Sequence, residues 1–288
     1  MRSLLFVPAD SEKKLAKGFA SQADVVIVDL EDSVALANKG TAREVAAAFI
    51  SSERANTSAK IYVRINDLST GMTDDDLAAI VKVKPDGLML PKANSGQDVQ
   101  QLSAMLRVRE AEAGLADGAI RILPIITETP AGVFAGGTYA GSSPRLSGVT
   151  WGAEDLSAAI GARTARNSAG QYTDVFRLAR AVTLLAANAA DVAAVDTVYP
   201  NFRDMAGFEA ECADAERDGF TAKMAIHPDQ VPVINAAFTP TAEAVERARA
   251  VVQAFEDAGN PGVVALDGKM YDRPHLRLAQ RLLARARN

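Results

Sequence analysis

The sequence predicts an α/β protein: a (β/α)8 TIM barrel with a C-terminal helical arm. Three observations predict it. Eight short β-rich runs alternate with longer helical stretches. The runs are continuously apolar, as strands covered on both faces are. Charged and amide side chains recur just beyond their C-terminal ends, where this fold gathers its active sites. The rival, an open doubly wound sheet, usually has fewer strands, and no GxGxxG follows any run.

In chain order, the strand candidates are 3–8, 25–30, 61–66, 87–92, 120–127, 148–152, 196–200 and 222–228. Their starts lie roughly 20 to 50 residues apart, room for one crossover helix each. Ser11-Glu12-Lys13-Lys14 matches S-x-x-K, but the partner motifs of that chemistry are missing, so it reads as the first turn of a helix. TAREVAAAFI (41–50) opens with a Thr41–Glu44 capping box. Residues 174–190 and 207–219 read as amphipathic helices, the second closed by Gly219. Thr239-Pro240 supplies a cap and a first-turn proline for the helix over 243–259. A loop over 260–272 leads into a final helix from Arg273. Residues 1–258 are therefore assigned to the catalytic barrel and 259–288 to an arm that packs on a neighbouring subunit.

Lys+Arg 31 against Asp+Glu 36 gives a net charge of −5. Nucleic-acid binding needs a basic surface, so that class is excluded. Cys212 is the only cysteine, which excludes an internal disulfide and a cysteine zinc site. No signal peptide and no membrane-length apolar run is present, so the expectation is a cytoplasmic protein.

The strand ends deliver a ring of polar groups: Asp29, Glu31 and Asp32, then Arg64 and Asn66, Lys92, Glu128, Glu154 and Asp155, Asn201 and Arg203, and His227. Taken singly, each has a plainer reading. Glu31 and Asp32 could cap a helix, Lys92 could be a surface charge, and His227 could be a structural hydrogen-bonder. Together, so many carboxylates in one cleft need compensation. A hard divalent cation supplies it: Mg2+ takes one or two carboxylates and leaves positions for substrate oxygens. Glu128 and Asp155, each immediately past a strand, are the expected ligands. Asp29, Glu31 and Asp32 would orient metal-bound waters. The arginine stripe 273/277/281/285 is either a solvated helix face or a grip on an anionic ligand.

Nine segments in register carry a family resemblance: LLFVPAD (4–10), VDLEDSV (28–34), VRIN (63–66), MLPK (89–92), ETPAG (128–132), WGAEDL (151–156), DTVYPNFRD (196–204), KMAIHPDQ (223–230) and LDGKM (266–270). Together they resemble the citrate lyase β-subunit family, within the HpcH/HpaI aldolase group that includes malyl-CoA and citramalyl-CoA lyases. The resemblance implies a TIM barrel and a Mg2+-dependent lyase, one ion per subunit, bound through Glu128 and Asp155. Arg64 would hold the carboxylate of a 2-oxo acid, and Asn66, Lys92, Gly152 and Ala153 would complete the substrate site. Asp267 is similar to the acid that such relatives insert into a neighbouring subunit's site, usually within homotrimers or their multiples.

The reaction implied cleaves a citryl-, malyl- or citramalyl-type thioester to a 2-oxo acid and an acyl thioester such as acetyl-CoA. Free CoA and an acyl carrier protein stay open as carriers. The same chemistry could end in hydrolysis, as a malyl-CoA thioesterase or a malate synthase-like activity. A non-catalytic binding protein on a retired barrel is opposed by the intact Glu128, Asp155 and Arg64. Two departures, Ala9-Asp10 in the first segment and Pro130 after the Glu-Thr pair, bear on which acid is bound.

Overall fold

The computed structural model describes residues 1–286. The elements run β1 (Ser3–Pro8), α1 (Glu12–Phe19), β2 (Val25–Asp29), α2 (Lys39–Glu53), β3 (Lys60–Arg64), α3 (Thr73–Ile80), β4 (Gly87–Leu90), α4 (Gly96–Glu112), β5 (Arg121–Pro124) and α5 (Pro130–Phe134). They continue β6 (Gly148–Val149), α6 (Glu154–Ile160), α7 (Asp174–Ala189), β7 (Ala193–Asp196), α8 (Met205–Asp218), β8 (Ala222–Ala225), α9 (Gln230–Phe238), α10 (Ala242–Asp257), β9 (Val263–Leu266), β10 (Lys269–Asp272) and α11 (Arg273–Ala286).

Strands β1 to β8 form one parallel sheet in the order β5-β4-β3-β2-β1-β8-β7-β6. Parallel bridges Ile122–Leu146 and Ile125–Thr150 join its two ends and bring the sheet round to a barrel. The register is direct, with Leu4 beside Val25 and Phe6 beside Ile27. Leu4, Ile27, Tyr62, Met89, Leu123 and Met224, one from each of six strands, pack together in the barrel core. Truncating such a residue, Ile27→Ala for example, removes about 2–5 kcal/mol of stability. Helices start and stop where the chemistry requires. Ser11 caps α1 by accepting from the Lys14 N–H, and Gly219 ends α8 at a φ of +110° that a side chain would oppose.

The chain separates into two compact units, Met1–Asn235 and a second beginning at Ala236. In the second, Ala248, Val251 and Phe255 of α10 pack on Leu276 and Ala279 of α11 and on Val264 of β9.

Four local expectations are corrected. The Thr41–Glu44 capping box does not form: α2 starts upstream at Lys39, whose buried ammonium donates to the carbonyls of Leu30 and Glu31. Thr241 rather than Thr239 caps α10, accepting from the Ala244 N–H at 3.1 Å. The seventh strand is Ala193–Asp196. Its small alanines fit between β6 and β8, while the bulkier Thr-Val-Tyr-Pro stretch forms the exit loop. Finally, 260–272 is not all loop. β9 and β10 pair antiparallel around Asp267-Gly268, whose φ angles of +50° and +72° suit a two-residue hairpin turn. An Asp-Gly pair between β-branched or aromatic runs was the available signal.

Candidate active site

All eight barrel strands end at one rim, and a cavity of about 410 Å3 opens there. Its polar lining comes from Asp29, Asp32, Ser33, Arg64, Glu128, Glu154, Asp155 and Thr197; Gly152 and apolar residues including Phe6, Trp151, Val198, Met224 and Ile226 supply the rest.

Asp29 and Arg64 occupy adjacent positions on β2 and β3, where the register pairs them. Arg64 Nε and Nη2 donate to the two carboxylate oxygens of Asp29 at 2.7 Å each. The Asp29 carboxylate also accepts the Glu31 N–H. Burial alone would raise the Asp29 pKa, but the Arg64 hydrogen bonds and charge bring it below the ordinary value. For Arg64, burial opposes the charge, and Asp29, then Glu31 and Glu128, raise its pKa nonetheless. Arg64 therefore has one side of its fork committed. The Nη1/Nη2 end faces onward, with Nη1 2.8 Å from Glu31 Oε2 as an ion pair without hydrogen-bond alignment. The guanidinium lies 4.9 Å over the Phe6 ring.

Lys92 links the acids. Held at a φ of +51°, it gives its backbone N–H to Glu128 Oε2 at 2.5 Å. Its ammonium pairs with Glu31 and stands 3.4 Å from Asp155 Oδ1 and 3.6 Å from Asp32 Oδ2. Burial works against the Lys92 charge, yet Glu31, Asp155 and Asp32 raise its pKa overall.

Glu128 is 3% exposed. Burial, then the neighbouring charge of Asp155, pushes its pKa up to about 8. A buried carboxylate repelled by a second one is a site short of positive charge. Gly152 leaves it room: a Cβ there would come within 2.9 Å of Glu128 Cγ and 3.0 Å of Oε1. Two carboxylates, Glu128 and Asp155, on a partly open cavity are a donor set that suits Mg2+. No group of three or more His, Cys, Asp or Glu side chains placed to hold a metal occurs among the described residues.

The structure thus brings Asp29, Glu31, Asp32, Arg64, Lys92, Glu128, Gly152 and Asp155 together. Others lie elsewhere. Asn66 is buried and spends its backbone and side-chain N–H groups on Asp76, which Arg43 also holds; this clamps α3 to the end of β3. Ala153 is buried at the start of α6, and its carbonyl accepts from Ser157. Neither lines the cavity. His227 stacks on Phe202 and accepts from the Asp229 N–H. Asp267 belongs to the second unit, at the hairpin turn, exposed and paired with Arg247 at 2.7 Å.

A buried charge network behind Trp151 escaped the sequence reading. The indole N–H donates to Asp196 Oδ1 at 2.7 Å. Asp196 is also held by Lys223 and Arg180, and Lys223 reaches Glu211. Lys223 interrupting an otherwise apolar strand was the legible signal, since a buried lysine needs a partner.

Comparison with known proteins agrees with this architecture. Residues 2–228 match the family model described as HpcH/HpaI aldolase/citrate lyase. The chain is 36% identical over 287 residues to citrate lyase subunit beta of Escherichia coli strain K12, covering 99% of this chain and 93% of that protein. It is 32% identical over 289 residues to a (3S)-malyl-CoA thioesterase of Cereibacter sphaeroides, covering 99% and 94%. The structure of protein CitE from Mycobacterium tuberculosis in complex with magnesium, acetoacetate and coenzyme A superposes with a TM-score of 0.78 at 35% identity, covering 100% of this chain and 98% of that one.

Proposed function

Because this chain belongs to the HpcH/HpaI aldolase/citrate lyase family, we propose that it is a Mg2+-dependent carbon–carbon lyase. It takes a 3-hydroxyacyl thioester of the citryl-, malyl- or citramalyl-CoA type and releases a 2-oxo acid and an acyl thioester such as acetyl-CoA. The observation that carries this is the meeting of Glu128 and Asp155 with Arg64 on one cavity.

Glu128 and Asp155 would hold the ion. An ion held there would supply polarisation of the substrate hydroxyl and a fixed point for the adjacent carboxylate. Arg64 would receive that carboxylate on its Nη1/Nη2 end, where Nη1 also pairs with Glu31, because Asp29 occupies the other side of the fork. Asp29 keeps the guanidinium rigid, so no conformational freedom is lost when substrate arrives. Glu31 and Asp32, tethered by Lys92, present acceptors to waters at the site. The apolar wall around Phe6 and Met224 keeps bulk water away from the breaking bond.

The elevated Glu128 pKa makes the site pH-sensitive. Between its ordinary value of 4.5 and about 8, the folded protein holds a proton on Glu128 that the unfolded chain has released. Rising pH across that window therefore lowers the stability of metal-free protein. A cation at the site must displace that proton, so Mg2+ raises Tm more at about pH 9 than at about pH 6. Thermal melts with and without Mg2+ at both pH values check this; an equal or reversed Mg2+ effect refutes it.

Asp267 is assigned the proton exchange at the acyl carbon, delivered from a neighbouring subunit of a homotrimer or its multiple. Its place at an exposed hairpin turn supports this reading. Asp267→Asn slows hydrogen exchange at the acetyl-CoA methyl by about 10²–10⁴-fold while Mg2+ affinity is unchanged. Normal exchange leaves the residue only its turn and its Arg247 pair.

The thioesterase relative favours a second reading, in which water attacks the thioester after or instead of cleavage. Incubating the protein and Mg2+ with citryl-, malyl- and citramalyl-CoA separates them: acetyl-CoA plus an oxo acid marks the lyase, free CoA plus the hydroxy acid marks hydrolysis in place of cleavage, and free CoA with acetate and an oxo acid marks hydrolysis after it. Running the same panel on acyl-carrier-protein thioesters identifies the carrier. We place the enzyme in the cytoplasm; no helix among the described residues is long and apolar enough to cross a membrane.

A further inference from the structure

Thr197 is 1% exposed, lines the cavity, and its hydroxyl has no hydrogen-bond partner among the described residues. Leaving a buried hydroxyl unpaired costs about 1–3 kcal/mol. Such a group at a cavity wall needs a partner that the protein does not supply, a water or a ligand. The topology says which part of the ligand. Thr197 follows β7, and in a closed ring of eight strands β7 stands opposite β3, which carries Arg64. The exits of β5 and β6, with Glu128 and Asp155, lie on the arc between them. On the proposed lyase reading, Arg64 takes the carboxylate end of the substrate. The thioester end then points across the mouth toward β7. Around Thr197, the neighbouring wall is apolar: Val198, Met224 and Ile226. Trp151, also there, has its N–H committed to Asp196.

We infer that the Thr197 hydroxyl donates a hydrogen bond to the thioester carbonyl oxygen of the substrate. During cleavage the substrate hydroxyl gives its proton to the acid–base group, Asp267 on the proposed reading, and its oxygen forms the new carbonyl. The pair from the broken C–C bond passes into the acyl fragment, and negative charge grows on the thioester oxygen until a proton returns to carbon. A fixed donor on an apolar stretch of wall stabilises that charge more than it stabilises the ground state.

The test uses Thr197→Val and Thr197→Ser in the full chain. Thr197→Val keeps the shape and removes the unpaired hydroxyl, so metal-free Tm stays or rises. Its kcat on the thioester that wild type cleaves best falls about 10- to 100-fold. Oxo-acid affinity, measured by calorimetry with pyruvate and Mg2+, stays within about twofold. Thr197→Ser recovers most of kcat. Wild-type kcat in Thr197→Val overturns the inference, as does a loss confined to pyruvate binding. If wild type cleaves no thioester of the panel, the lyase reading fails instead, and the two failures are distinct.

Discussion

Glu128→Gln is expected to lower Mg2+-dependent turnover by at least about a thousandfold. Gln has nearly the same volume and can still accept the Lys92 N–H, so the loop geometry survives. What disappears is the charge that a cation needs. The same change removes the need to hold a proton on Glu128 in the folded state, so metal-free protein should be as stable as wild type or more so at neutral pH. Unaltered folding with abolished activity and abolished Mg2+ binding by calorimetry is the combined signature. Asp155→Ala should give the same loss of turnover. Near-normal activity in either variant removes the metal assignment.

Arg64→Ala should be the most destabilising change at the site, costing about 3–5 kcal/mol in chemical denaturation. The cause is what remains: Asp29, 2% exposed, loses the two hydrogen bonds that hold its pKa down. Adding Asp29→Asn to Arg64→Ala should return part of that loss, because the stranded charge is then gone. Arg64→Lys keeps a cation but offers one point of contact where Asp29 and the substrate carboxylate each want a planar edge. It should fold, with oxo-acid affinity weakened about tenfold or more. Unchanged affinity of the Arg64→Lys variant for pyruvate or oxaloacetate would contradict the role given to Arg64.

The barrel was legible because its strands are buried on both faces and read as unbroken apolar runs. Only β7 was misplaced, since its Ala-Ala-Val core carries less β-signal than the Thr-Val-Tyr-Pro that follows. The carboxylates were legible because charge directly after an apolar strand is conspicuous. Their partners were less so. That Arg64 embraces Asp29 depends on register between β2 and β3, which no local pattern encodes. That Asn66 serves Asp76 rather than the cavity depends on where α3 docks. Thr197 gave no signal at all: an unpaired hydroxyl is a property of its surroundings, visible only once the neighbours are in place.

Trp151 is the only tryptophan in the chain, and it sits in the wall of the cavity with its N–H on a carboxylate. The protein therefore carries a built-in optical probe at the cavity proposed to take the ligands. Its emission should be that of a water-excluded indole, and any ion or acid entering beside it should change the brightness. Dissociation constants for non-reacting ligands can then be titrated in a cuvette, on inactive variants as readily as on the native enzyme.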